Sequence, residues 1–172
     1  MRHLVLAGLV GILMLSSAYT SNTPTYEDVL SQLADTFHVS TNDKYTLVVF
    51  WHAGIPESRL LIPKVKDVYD DYKEREYAFG QNGLNLLYVS IDEFRSPIAK
   101  AWKSMDMGDT PYIWDKEKTF SSALETTRPE LVLLDSRGFI CIRTTILYDM
   151  CVYLDKISDS EWANLGKDKY NK

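Results

Sequence analysis

The fold can be inferred from one stretch, Lys44-Tyr-Thr-Leu-Val-Val-Phe-Trp-His-Ala-Gly-Ile-Pro-Glu-Ser-Arg-Leu-Leu-Ile-Pro63. It opens with β-branched and aromatic residues from Tyr45 to Trp51, which predict a fully buried strand. Gly54 then breaks the strand, and Pro56 supplies the fixed φ that suits the first turn of a helix. The stretch therefore predicts a strand, a tight turn and a helix whose free N–H groups and positive dipole end face the turn.

This stretch resembles the redox centre of the thioredoxin superfamily, most closely its TlpA-like envelope branch. The pattern there is Phe-Trp-Ala-x-Trp-Cys-x-Pro-Cys-Arg, followed four residues later by Pro. The residues that match it without a gap are Phe50, Trp51, Arg59 and Pro63. Ile55 stands at the first cysteine position and Ser58 at the second, so the Cys-x-x-Cys motif is missing. The resemblance thus implies the fold of the family without its redox centre.

The order of elements agrees with this resemblance, which covers roughly residues 43–158 and implies a thioredoxin-like α/β fold. This is a three-layer sandwich with a central mixed β-sheet flanked by helices. A second buried strand is predicted from Leu84 to Ile91, and a helix follows from Ser96. The β-α-β-α alternation implies right-handed crossovers and a parallel pair at the sheet centre.

The second half of the chain predicts an antiparallel hairpin and a final helix. A strand from Thr127 to Asp135 is followed by a turn with Gly138 at the position that needs φ > 0. Apolar residues then recur at helical spacing between Leu147 and Ile157. Residues 105–127 show no clear period, and we expect a long connection there with one short helix around Phe120.

The N-terminus has the layout of a secretory signal peptide. Arg2 and His3 precede a continuous apolar run from Leu4 to Leu15, and Ser16-Ser17-Ala18 offers small residues for cleavage. The expected organisation is a signal peptide over 1–18, a linker and N-terminal helix over 19–42, the thioredoxin-like domain over 43–158 and a polar tail over 159–172. We expect a secreted, periplasmic protein without a membrane span after cleavage; an uncleaved anchor is the alternative.

Composition excludes several classes of function. Nineteen Lys and Arg against 24 Asp and Glu give a net charge of −5, and no basic cluster appears, so nucleic acid is not expected as a partner. The histidines, His3, His38 and His52, are scattered, so we expect no metal site and no cofactor. A chain of 172 residues fits one domain.

The two cysteines, Cys141 and Cys151, leave three alternatives open. They could be buried free thiols, a structural disulfide favoured by export, or a relocated redox pair. The third alternative is the weakest, because neither cysteine lies at a strand-to-helix turn, where a helix N-terminus lowers a thiol pKa.

The turn also contains the residue types of a hydrolase triad, in Ser58, His52 and Glu57. No nucleophile-elbow glycine pattern frames the serine, and Glu57 suits the helix dipole. A structural role for these three residues is therefore the stronger interpretation.

The resemblance maps the cis-proline of the family onto Pro129, with Arg128 before it. Trp51, Ile55, Pro56, Arg128 and Pro129 would then form a peptide groove in which Arg128 favours acidic or aromatic ligand residues. We therefore expect a redox-inactive protein of the envelope whose role is to bind a protein or peptide. The alternatives are a thiol-disulfide oxidoreductase that uses Cys141 and Cys151, and a structural subunit of an envelope complex.

Overall fold

Five strands form one mixed sheet in the structure, a computed structural model that describes residues 43–159. They are β1 (Tyr45–Trp51), β2 (Leu84–Ser90), β3 (Ile113–Trp114), β4 (Glu130–Leu134) and β5 (Ile140–Thr144). Their order across the sheet is β3-β2-β1-β4-β5. The pairs β1–β2 and β2–β3 are parallel, whereas β1–β4 and β4–β5 are antiparallel. The predicted parallel pair at the sheet centre is therefore confirmed.

Four helices connect or follow these strands. Within residues 43–159 they are α1 (Pro56–Tyr72), α2 (Arg95–Ser104), α3 (Thr119–Ala123) and α4 (Leu147–Ser158), and a 3₁₀ turn spans Ala78–Gly80. Pro56 occupies the first turn of α1, where its missing N–H costs no intrahelical hydrogen bond. The short helix expected around Phe120 is α3, and the final amphipathic helix is α4. The thioredoxin-like three-layer fold is confirmed.

All seven residues of β1 are buried because the strand is covered on both faces. Its odd-numbered residues, Tyr45 to Trp51, face a large core that is shared with α1, α2 and α4. Val48 and Phe50 face a smaller core to which Phe120 and Leu124 contribute. A fully buried Leu or Phe side chain contributes about 1.5–3 kcal/mol, so the buried side chains of β1, the central strand of the sheet, are a main source of stability.

The hairpin between β4 and β5 has the predicted turn. Gly138 has φ +86°, and its N–H donates to the carbonyl oxygen of Asp135 at 2.9 Å. The carboxylate of Asp135 accepts further bonds from the N–H groups of Arg137 and Phe139, both at 2.9 Å. The buried Asp135 side chain thus fixes the turn that sets the register of the pair.

Several expectations lie outside the described residues. These are the signal peptide, the linker and N-terminal helix, and the polar tail from residue 160 onward. Within residues 43–159, no helix is both long and apolar enough to cross a membrane.

Candidate functional site

The turn between β1 and α1 is built from His52 to Ile55. The N–H of Ile55 donates to the carbonyl oxygen of His52 at 3.1 Å, and Arg59 then donates to the carbonyl of Ile55 at 3.2 Å. Ile55 has extended dihedrals, φ −101° and ψ 112°, and is the residue before the first helical turn. The turn thus places the N-terminus of α1 directly beyond the end of the central strand.

Ile55 stands where the motif has its first cysteine, which we call the first redox position, and its side chain has no reactive group. It is 36% exposed at the end of a helix where the dipole would stabilise a thiolate. The sec-butyl side chain of isoleucine cannot ionise, attack a disulfide or accept a hydrogen bond. The helix N-terminus therefore has no nucleophile at the position where the reaction would start.

Ser58, at the second redox position, has a structural role. It is only 4% exposed, and its Oγ accepts the backbone N–H of His52 at 2.9 Å. This bond comes from the His52 backbone and not from its imidazole, so Ser58 and His52 are not arranged as a nucleophile and its base. Glu57 is exposed in the first helical turn, where its charge suits the dipole. The geometry favours the structural interpretation of these three residues over a hydrolase triad.

Asp92 is a buried acid of the site, and no local pattern in the sequence indicated its role. It is 4% exposed, and its carboxylate accepts the N–H of Ala53 at 2.9 and 3.1 Å and the hydroxyl of Ser90 at 2.8 Å. Its own carbonyl oxygen accepts the indole N–H of Trp114 at 2.8 Å. A carboxylate directly after a strand parallel to β1 could have signalled this role, because parallel strands end at the same edge.

His52 lies between a donor and an acid. Its Nδ1 accepts the N–H of Gly54 at 2.9 Å and lies 3.2 Å from a carboxylate oxygen of Asp92. The bond from Gly54 assigns the neutral ring proton to Nε2, whereas a proton on Nδ1 would be donated to Asp92. A Cβ at Gly54 would approach the His52 ring to 3.1 Å, so glycine permits this close contact.

The predicted peptide groove requires two corrections. Trp51 cannot line it, since its side chain is fully buried and packs against Trp102 and Tyr112 with ring centroids 5.1 and 6.3 Å away. The physical reason is that Trp51 points into the large core. Ile55, Pro56 and Arg128 are exposed, as the groove would need.

The expected cis bond between Arg128 and Pro129 is also wrong, because every peptide bond among the described residues is trans. Trans is favoured by about 0.5–1 kcal/mol before proline unless the surroundings override it. Pro129 directly precedes β4, whose first residue Glu130 pairs with Phe50 of β1. A trans bond leads an extended chain into that register, so the predicted floor of the groove is not formed.

Neither cysteine forms the structural disulfide that remained open; Cys141 and Cys151 are free thiols. Cys141 lies on β5 near Tyr45 and Tyr153, and burial raises its pKa from 9.0 to about 11. Cys151 lies on α4 closer to Asp155, and burial also raises its pKa. Both shifts oppose thiolate formation, which is the opposite of what a redox cysteine needs.

Several exposed apolar side chains lie at the end of the sheet where α1 begins. Strands β1, β2, β3 and β5 end at one edge of the sheet, where β4 begins; we call this the carboxyl-end edge. Ile55, Phe94 and Ile146 follow β1, β2 and β5 there and are 36%, 71% and 55% exposed. Leu60 and Tyr148, in the helices that begin at this edge, are 68% and 74% exposed.

Comparisons with known proteins agree with this architecture. A family model described as thioredoxin-like matches residues 42–140. No curated protein matches the chain. Among solved structures, the thioredoxin domain of a thiol-disulfide oxidoreductase from Bacteroides vulgatus is similar, with 22% identity, a TM-score of 0.55 and coverage of 69% of this chain and 82% of that one.

Two further structures give the same result. A thiol-disulfide oxidoreductase from Bacteroides fragilis has 20% identity and a TM-score of 0.53, covering 66% of this chain and 81% of that one. StoA from Bacillus subtilis has 15% identity and a TM-score of 0.52, covering 64% of this chain and 82% of that one. At these identities the likeness concerns the fold.

Proposed function

The chain belongs to the thioredoxin-like family, and we propose that it uses this fold to bind a protein or peptide and does not catalyse thiol–disulfide exchange. The observation that carries the proposal is the pair of residues at the redox turn. Ile55 has no ionisable group, and Ser58 is buried with its hydroxyl accepting the N–H of His52. Exchange needs a thiolate and a second thiol to resolve the mixed disulfide, and this turn holds neither.

The rival oxidoreductase that works through Cys141 and Cys151 has less support. Burial raises the pKa of both thiols, so the thiolate population at neutral pH is small. Cys141 lies on a strand and Cys151 in the second turn of α4, away from the N-terminus of α1. Neither position supplies the positive environment that activates a cysteine.

Binding is supported by the apolar surface at the carboxyl-end edge. Scattered exposed apolar residues are ordinary, but several of them around one edge are typical of an interaction site. Ile55, Phe94 and Ile146 follow β1, β2 and β5, which all end at this edge. The proposal does not need the cis bond at Pro129, since these side chains are exposed without it.

The location that we propose is the periplasm or the exterior of the cell. The support is the sequence of residues 1–18, in which a short apolar run follows Arg2 and His3 and precedes small residues. Intact-mass measurement on protein from an envelope fraction tests this: an N-terminus at about Tyr19 agrees with export, and a retained Met1 in the membrane fraction contradicts cleavage.

The function is tested by comparing ligand capture between matched variants. Ile55→Asp and Phe94→Asp introduce a charge at the carboxyl-end edge, whereas Phe79→Asp introduces one at the opposite edge, where Phe79 is 61% exposed. We expect the first two variants to lose a ligand that the unmodified protein and the Phe79 variant retain from envelope extract, with or without reductant. Retention by all variants would overturn the proposed site, and disulfide reduction by the unmodified protein that Cys141→Ser abolishes would favour the rival.

A further inference from the structure

A cavity of about 420 Å³ lies at the end of the sheet opposite the turn after β1. Its walls are Tyr45 at the start of β1, Cys141 of β5, and Tyr153 and Ile157 in the second half of α4. Gln81, which follows the 3₁₀ turn, closes another side. Small-molecule sites usually have volumes of about 300–1,000 Å³. This end of the fold therefore has a space that a small ligand can occupy.

The hydroxyl of Tyr45 forms no hydrogen bond within residues 43–159, although the residue is only 3% exposed. Burial raises the pKa of this phenol, and the nearby Cys141, Tyr153 and Asp135 raise it further. These three residues line the cavity, so the Tyr45 hydroxyl lies beside it. Because buried polar groups nearly always have a hydrogen-bond partner, this hydroxyl is a group that a ligand can satisfy.

The side-chain amide nitrogen of Gln81 is a second group without a partner, and its orientation is fixed. Gln81 is 6% exposed, and its Oε1 accepts the N–H of Ser136 at 3.0 Å. Since that bond holds the oxygen, Nε2 is the amide atom that has no partner among the described residues, and it carries two donors. Gln81 and Tyr45 both line the cavity, so hydrogen-bond donors are available to a ligand there.

The charged groups of the cavity neutralise each other. Asp135 accepts the backbone N–H groups of Arg137 and Phe139 at 2.9 Å and the guanidinium of Arg137 at 3.2 and 3.3 Å. Among the described residues, no other acidic or basic side chain lines the cavity. Burial raises the pKa of Cys141 to about 11, so its thiol is uncharged at neutral pH. An ion that enters loses hydration and gains no unpaired counter-charge, and this favours an uncharged ligand.

We propose that this cavity binds an uncharged aromatic small molecule that carries a carbonyl oxygen. The oxygen accepts from the Gln81 amide and the Tyr45 hydroxyl, and the ring packs against Tyr153 and Ile157. Donors of these two kinds suit a carbonyl, and an aromatic ring gains from offset or edge contacts with a tyrosine. The cavity lies at the opposite end of the sheet from Ile55, so this binding is additional to the proposed capture of a protein or peptide.

The test uses fluorine NMR with three probes that share one ring: para-fluorobenzamide, para-fluorobenzoate and para-fluorobenzylamine. The uncharged amide should bind at least about tenfold more tightly than the anion or the cation. Tyr45→Phe and Gln81→Glu should each weaken its binding about three- to tenfold, because each removes a donor to the carbonyl. The matched controls are Tyr148→Phe, at the carboxyl-end edge, and Asn82→Asp, an exposed amide beside Gln81; both should bind as the unmodified protein does.

Two further measurements separate ligand binding from a structural effect. In a Cys151→Ser background, saturating para-fluorobenzamide should slow the alkylation of Cys141 by iodoacetamide at least about threefold, because the thiol lies in the same cavity. Tyr45→Phe should unfold at the same urea concentration as the unmodified protein, since its hydroxyl has no protein partner to lose. A clear loss of stability in Tyr45→Phe would instead identify the hydroxyl as a structural group and overturn its role toward a ligand.

The remaining outcomes are decisive in the same way. Equal binding of the three probes, an unchanged alkylation rate of Cys141, or binding unaffected by both Tyr45→Phe and Gln81→Glu would overturn the proposal. Absence of para-fluorobenzamide binding up to about 10 mM would overturn it as well. The capture comparison at the carboxyl-end edge is decided separately, because its variants lie at the other end of the sheet.

Discussion

The backbone N–H of His52 donates to Oγ of Ser58 at 2.9 Å, so the residue at the second redox position joins α1 to the end of β1. This bond gives the Ser58 hydroxyl a structural role at a position where thiol–disulfide exchange would need a thiol. Ser58 is buried, and the His52 N–H has its acceptor in that hydroxyl. The contact is therefore a stability determinant that can be measured.

Replacing Ser58 with alanine should lower the free energy of unfolding by about 1–3 kcal/mol, since the partly buried N–H of His52 loses its acceptor. Urea denaturation measures the change, and Ser96→Ala on the exposed start of α2 is the matched control, expected within about 0.5 kcal/mol of the unmodified protein. Equal stabilities for the two variants would show that the hydroxyl contributes nothing.

Installing cysteines at both redox positions should create thiol–disulfide activity. In Ile55→Cys with Ser58→Cys, the first thiol stands at the N-terminus of α1, which lowers its pKa, and the second can resolve the mixed disulfide. Reduction of a model disulfide by the double variant should exceed that of the unmodified protein. Ile55→Cys alone is the control and should stop at the mixed disulfide; an inactive double variant that folds normally would contradict the expectation.

Breaking the buried pair of Glu130 and Arg143 should be costly. Glu130 is 2% exposed and accepts from Arg143 at 3.1 Å and from Thr126 at 2.6 Å, and Arg143 also donates to the carbonyl of Leu124. Arg143→Met leaves the carboxylate unpaired and should cost about 3 kcal/mol, the lower end for buried pairs, because the arginine is partly exposed.

The double variant Glu130→Met with Arg143→Met provides the comparison for that pair. It removes both charges, so it should be more stable than Arg143→Met alone. Thermal and urea unfolding of the single and double variants measure this. A double variant at least as unstable as the single one would mean that the unpaired carboxylate is not the source of the loss.

The thiol of Cys141 should react slowly at pH 8. Its pKa is raised by burial from 9.0 to about 11, and only the thiolate attacks, so reaction with an aromatic disulfide should be about 100-fold slower than in the unfolded chain. A Cys151→Ser background isolates the rate, and the same protein in urea gives the reference. Native and unfolded rates within threefold of each other would contradict the burial argument.

The same shift has a consequence for stability in alkali. The unfolded chain loses the thiol proton near its ordinary pKa, before the folded protein does, so folding is weakened as pH rises from about 9 to 11. Tyr72 acts in the same direction, because burial and the Asp155 hydrogen bond raise its pKa to about 12. Unfolding midpoints should therefore fall across this range, and Cys141→Ala should reduce the slope.

Much of the fold followed from local patterns. Three features depend only on residues that are close in sequence, so sequence alone indicated them. They are the buried run of β1, the proline at the start of α1 and the glycine of the β4–β5 turn. β3 was missed because it has only two residues, Ile113 and Trp114, and exists through its pairing with β2. A strand of that length carries no periodicity.

The candidate site depended more on contacts between distant residues. Ala53 and Asp92 are 39 positions apart, so their hydrogen bonds could not be inferred from the turn itself. The isomer before Pro129 is likewise set by how β4 joins the sheet. The missing cysteines, by contrast, were evident from Ile55 and Ser58, because the identity of a residue needs no contact to establish it.

The side-chain hydrogen bonds of the turn after β1 join nitrogen and oxygen atoms. The hydroxyl of Ser58 accepts the N–H of His52, the carboxylate of Asp92 accepts the N–H of Ala53, and the imidazole of His52 accepts the N–H of Gly54. Two cysteines at these positions would interconvert between a dithiol and a disulfide. This turn has a single covalent state. A ligand at this edge would therefore meet the same surface in oxidising and reducing surroundings, so its affinity would not depend on the redox state of the turn.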